Sequence, residues 1–110
     1  MAELGMEITP VEVKARLDRG EHMRLIDVRE PEEHAICHMP GAELIPMRTI
    51  PENLHNLDQG DIPIVVYCHH GVRSLSVVDW LRRQGVENCQ SMIGGTDQWS
   101  REIDPAMPRY

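Results

Sequence analysis

Ile64-Val65-Val66-Tyr67 is an unbroken apolar run that leads through Cys68-His69-His70-Gly71-Val72-Arg73 into a helix-type stretch containing Leu75, Val78 and Leu81. A short run of β-branched and aromatic residues suits a strand buried on both faces, the kind found inside a parallel sheet. Strand, tight turn and helix in that order form part of a βαβ unit. The turn lies under the free N–H groups that open the helix, and those donors, with the helix dipole, favour an anion. Cys68 therefore reads as a nucleophilic sulfur that works as an anion.

The rest of the chain alternates in the same way. Ile8-Thr9 reads as a short strand; Thr9 is then an N-cap, with Pro10 at the first helical position and Glu12 at the third. That helix runs to about Arg19, with Val11, Val13, Ala15 and Leu17 as its apolar positions, and Gly20 ends it. Leu25–Val28 is a buried strand, Glu30 to Ile36 a short helix with an acidic start, and Pro40-Gly41 a turn. Ala42 to Ile45 forms the next strand, closed by Pro46. Met47, Ile50, Leu54 and Leu57 have helical spacing, limited by Pro51. The strongest helix spans Ser74 to Gln84, with Ser74 as its cap and Gly85 at its end. Val86, Cys89 and Met92 mark a last strand region, and Gly94-Gly95 turns into a short helix through Trp99. A tail with Pro105 and Pro108 is expected to lie over the surface. Short strands alternating with helices predict an α/β fold, a parallel sheet flanked by helices on both faces. It forms one domain over residues 1–110, with a core of about 8–103 and a tail of 104–110. Ligands of such sheets bind beyond the carboxyl ends of the strands, where both Cys68 and Arg29 fall.

Bulk properties narrow the function. A chain of 110 residues buries roughly two thirds of its unfolded surface. Aliphatics and methionine must fill the core, since Phe is absent. A formal net charge of -7 argues against nucleic acid or an anionic membrane as partner. Three cysteines are too few for a disulfide framework and suit a reducing compartment, so a soluble, cytoplasmic protein is expected. Neither a signal-type leader nor a stretch long enough to span a bilayer is visible.

Leu25-Ile26-Asp27-Val28-Arg29-Glu30, Glu33-His34, His38-Met39-Pro40-Gly41-Ala42 and Ile45-Pro46 together resemble the first signature of the rhodanese domain, the sulfurtransferase family. The cysteine loop is a second match, and Gly94-Gly95 followed by Trp99 is similar to the family's closing Gly-Gly-Trp region. The matches run from about residue 8 to about 103. The resemblance implies a rhodanese-like fold with a central parallel five-stranded sheet and no metal or organic cofactor. It also implies a cycle in which the loop cysteine takes a sulfane sulfur from a donor such as thiosulfate and passes it, as a persulfide, to a thiophilic acceptor. Cyanide, a small thiol, thioredoxin or a sulfur-relay protein would serve as that acceptor. This chain departs from the family in placing Thr96-Asp97-Gln98 before Trp99 and in filling its loop with histidine where some members carry Lys or Arg.

The loop suits that chemistry on its own terms. Successive N–H groups from His69 to Ser74 would hold an anionic sulfur as a nest holds phosphate. Gly71 lets the backbone curl, and Ser74 would cap the helix and donate towards the sulfur. Arg73 either binds anionic oxygens of a donor or points outward. His69 and His70 either tune the field at Cys68 and contact the acceptor, or shape the pocket, while Val72 belongs to the loop backbone. Asp27 and Arg29 are expected to brace the loop, the carboxylate facing its N–H groups. His34 and His38 have metal-ligand spacing, but Pro40-Gly41 breaks the helix and no third ligand is suggested, so no metal is expected. Cys37 and Cys89 read as small buried hydrophobes, with a resolving role as the alternative, and Trp99 as a core lid.

Two rivals remain. Phosphatases and arsenate reductases of related fold place one more residue between their Cys and Arg than separates Cys68 from Arg73. One residue changes the reach of the loop by about 3.3–3.6 Å, so the shorter loop suits a single sulfur over a tetrahedral oxyanion. The other rival is a non-catalytic docking module of the same fold, against which the presence of Cys68 speaks.

Overall fold

A computed structural model describes residues 4–110, so the first three residues of the expected domain span lie outside the described part. Five parallel strands form one sheet: β1 (Glu7–Ile8), β2 (Arg24–Asp27), β3 (Glu43–Leu44), β4 (Ile64–Tyr67) and β5 (Cys89–Met92), in the order β1-β5-β4-β2-β3. β4 lies at the centre, as its continuous apolar character requires. The chain winds outward from β2 to β3 and from β4 to β5, so the crevice between the ends of β2 and β4 is the switch point where ligands bind.

Alternation along the strands divides the core into two layers. Ile26, Ile64, Val66 and Cys68 face one layer with Val77, Val78 and Leu81 of helix α4 (Val72–Arg83). Leu25, Val65 and Tyr67 face the other, with Val13 of α1 (Pro10–Asp18) and Trp99 of α5 (Gly95–Glu102). Cys68 is thereby aimed at the helix that follows it. No helix of the described residues is long and apolar enough to cross a membrane.

Local chemistry accounts for the element ends. Thr9 Oγ1 accepts from the Glu12 N–H at 3.1 Å, capping α1 as expected. Glu30 and Glu33 form a reciprocal capping box at the start of α2 (Pro31–Ile36). The apolar positions of 47–57 do not form one helix. Pro51 divides them into two 3₁₀ turns, Met47–Thr49 and Pro51–Asn53, before α3 (Leu54–Leu57).

Three expectations are corrected. Helix α4 starts at Val72, because Gly71 takes φ +100° and becomes the N-cap, and Ser74 sits inside the first turn. Val11 is exposed and takes no part in the core. The tail does not simply lie over the surface: Met107 is buried, its carbonyl accepts from Ser100 Oγ at 2.7 Å, and Tyr110 reaches the strand ends.

Candidate active site

Cys68 immediately follows β4 and is 1% exposed. The turn at Gly71 folds the loop back on it. The Gly71 N–H donates to Cys68 Sγ at 3.1 Å and the Ser74 N–H at 3.4 Å. Of the run of amides expected from His69 to Ser74, these two reach the sulfur. Ser74 contributes a hydroxyl as well, 3.5 Å from Sγ. That hydroxyl donates to the Gly71 carbonyl at 3.2 Å and lies 2.7 Å from Ser91 Oγ. A hydroxyl has one proton, so Ser91 is the donor to Ser74 in this arrangement. Ser91 is a buried residue of β5 and escaped sequence reasoning because CQSM carries no strong strand pattern.

The loop is pinned from the other side by α5. The N–H of Thr96 donates to the Cys68 carbonyl at 2.9 Å, and that of Asp97 to the His69 carbonyl at 3.1 Å. Orphan donors of one helix thus fix the backbone that shapes another helix's entrance.

Asp27 and Arg29 do not brace the cysteine loop as expected. Both are fully buried, and their charges are spent on each other. Asp27 Oδ1 accepts from Arg29 Nε at 2.8 Å and from the Arg29 N–H at 3.0 Å, and Oδ2 accepts from Arg29 Nη2 at 2.7 Å. His34 Nδ1 adds a 2.8 Å contact to Oδ2. Arg29 then binds the Cys37 carbonyl and donates to the Tyr110 hydroxyl at 2.8 Å. The pair organises α2 and the tail beside the loop. Burial opposes the Arg29 charge, but the hydrogen bonds to Asp27 and Tyr110 outweigh it and hold the guanidinium above its ordinary pKa.

Arg73 does not point outward. Its Nη1 and Nη2 donate to Glu33 Oε1 and Oε2 at 2.7 and 2.9 Å, and Tyr110 Oη donates to Glu33 Oε2 at 2.7 Å. Arg73 holds the Glu33 carboxyl down at about 2 against the opposing effect of burial. The Tyr110 ring stacks on His69 with centroids 4.0 Å apart, and His69 in turn meets His70 at 3.9 Å. Burial, and then the neighbouring His70, push the His69 pKa down. Val72 is exposed beside an open groove lined by Met6, His70, Gly71, Leu75 and Ile93.

The remaining candidates are occupied elsewhere. His34 and His38 stack with centroids 4.0 Å apart, and their Nδ1 atoms are bound to Asp27 and to the His34 carbonyl. His69, His70 and Asp97 bring ligand-type atoms within 4.8 Å of one another, but Asp97 already pairs with Arg101 and Arg109. Cys37 lies 3.7 Å from Arg29 Nη1, and Cys89 lies 3.4 Å from the Val86 carbonyl, its thiol pKa pushed up by burial.

A family model, the Rhodanese-like domain, matches residues 9–102. The chain belongs to the rhodanese-like domain family. It is 38% identical to thiosulfate sulfurtransferase GlpE of Haemophilus influenzae, covering 94% of this chain and 96% of that protein. It is 39% identical to the probable adenylyltransferase/sulfurtransferase MoeZ of Mycobacterium tuberculosis over 99% of this chain, which spans only 28% of that longer protein. The crystal structure of a rhodanese-like domain protein from Staphylococcus aureus superposes with a TM-score of 0.80 at 32% identity, covering 96% of this chain and 99% of that one. The rhodanese-like fold expected from the sequence, with its five-stranded parallel sheet, is the one observed.

Proposed function

We propose that this rhodanese-like chain is a sulfurtransferase that carries sulfur on Cys68. The observation behind the reading is the pair of N–H groups, from Gly71 and Ser74, that converge on Cys68 Sγ. Two fixed donors at a helix entrance stabilise a thiolate, and equally the terminal sulfur of a persulfide. In the first half-reaction the Cys68 thiolate attacks the sulfane sulfur of a donor. A new S–S bond forms, the donor's bond breaks, and the leaving group departs with its electron pair. In the second, a thiol or cyanide attacks the outer sulfur and releases the Cys68 thiolate. Ser74 is placed to turn its hydroxyl to whichever sulfur bears the charge.

The resemblance to thiosulfate sulfurtransferase GlpE supports small sulfur donors, and that to the probable adenylyltransferase/sulfurtransferase MoeZ supports sulfur transfer as such; a small thiol, thioredoxin or a sulfur-relay protein is the acceptor in this reading. A cytoplasmic setting suits three unpaired cysteines. The groove beside Val72 favours a second reading, a docking module of the same fold. Intact-mass spectrometry after incubation with thiosulfate or a persulfide separates the two. A gain of about 32 Da, one sulfur, on Cys68 and its absence in Cys68→Ser is the expected result. An unmodified Cys68 with every donor leaves the docking reading.

A further inference from the structure

Between Cys68 and Arg73 the loop has no lysine or arginine, and Arg73 is already taken by Glu33. That clamp is itself held. Tyr110 bridges Glu33 to Arg29, and Glu33 Oε1 accepts the Glu30 N–H at 3.0 Å. Arg29 is neutralised by Asp27, while Arg101 and Arg109 share the one carboxylate of Asp97 and are half exposed to solvent. His69, stacked on Tyr110, is pushed towards its neutral form, and the whole chain carries a formal charge of -7. A doubly charged anion approaching Cys68 finds the loop's own cation, Arg73, neutralised by Glu33, and meets a negative overall field.

We propose that Glu33, clamped by Arg73 and Tyr110, sets the donor class, so that Cys68 takes its sulfur from a low-charge alkyl persulfide in preference to a dianion such as thiosulfate. The proposal rests on the sulfurtransferase reading above. With R–S–SH, the Cys68 thiolate bonds to the outer sulfur while the old S–S bond breaks. R–S⁻ leaves with the electron pair and takes the proton of the transferred sulfur, giving R–SH and the Cys68 persulfide anion. With thiosulfate the leaving group is sulfite, whose two charges emerge beside the anionic persulfide on a rim that carries Glu33. Glu33 touches no reacting atom in this scheme and acts through Arg73.

The test compares thiosulfate with 2-hydroxyethyl persulfide as donors for the wild type and Glu33→Gln at low ionic strength. In the wild type, kcat/KM for the persulfide exceeds that for thiosulfate by about tenfold or more. One freed charge within a few ångströms shifts binding by about that order. Glu33→Gln therefore cuts the ratio at least about fivefold, through a lower KM for thiosulfate, and adding Arg73→Ala to that variant removes the gain. An unchanged ratio in Glu33→Gln overturns the proposal. The wild type alone supplies a second measurement, in case the variant does not fold. Raising salt to ~0.15 M screens the field, so thiosulfate kcat/KM rises. A fall would reveal an open cation at the site and overturn the proposal. No added mass on Cys68 with either donor would instead overturn the sulfurtransferase reading.

Discussion

Gly95 lies so close to Cys68 that a Cβ there would collide with the Cys68 carbonyl oxygen and the His69 carbonyl group. This contact, at φ +56°, allows the Thr96 and Asp97 N–H groups to reach the two loop carbonyls. Gly95→Ala must push the loop away from α5. The expected cost is about 1–3 kcal/mol of stability and at least a tenfold loss of sulfur transfer. Gly20→Ala is the control, because φ is +77° there and no atom lies within 4 Å. It should cost about 1 kcal/mol and leave transfer intact. Thermal melts with a donor assay compare the two.

Ser74→Ala removes the hydroxyl beside Cys68 Sγ and leaves both backbone donors in place. Losing the hydroxyl that can rotate from the Gly71 carbonyl towards a developing anion should slow persulfide formation by roughly tenfold or more while the protein stays folded. Single-turnover mass spectrometry follows the rate. An unchanged rate would take the hydroxyl out of the mechanism.

Asp27→Asn leaves the Arg29 guanidinium buried with its main counter-charge gone. A loss of about 3–5 kcal/mol is expected in denaturant unfolding. Replacing both residues with apolar ones of similar volume should recover part of it, since the pair's own desolvation is costly. A double variant no more stable than Asp27→Asn would contradict this account.

Arg73 holds Glu33 at about 2, below the ordinary value of 4.5. A carboxyl with a depressed folded pKa contributes stability that is complete above its unfolded pKa and is lost as pH falls through the folded value. Glu33→Gln should therefore melt several degrees below the wild type at pH 7, with the two curves converging between about pH 4.5 and about pH 2. A gap that stays constant down to pH 2 would mean that the ion pair contributes nothing.

What the sequence revealed of this molecule was local. The run Ile64–Tyr67 with its loop and helix identifies the central strand and points to Cys68 as the candidate nucleophile, because all the needed signals lie within one strand, turn and helix in sequence. Thr9 and Pro10 declare a helix start for the same reason. The Glu33–Arg73 clamp joins positions 40 apart, and Tyr110 meets Arg29 across 81, so no local pattern announces either. Asp27 stands at a strand end, as the pattern Leu25–Val28 predicts, but its partner has no local signal, since Arg29 and the loop amides compete for one carboxylate. Ser74 does not cap the helix because Gly71, at positive φ, takes that post three residues earlier.

The dependence of the Cys68 carbonyl on Thr96 bears on biosynthesis. A ribosome delivers Cys68 well before the helix that secures its surroundings, so a partly made chain has the sulfur without a fixed loop around it. The loop geometry on which the proposed sulfur transfer depends is complete only when α5 docks, and until then this thiol differs little from any other on the growing chain.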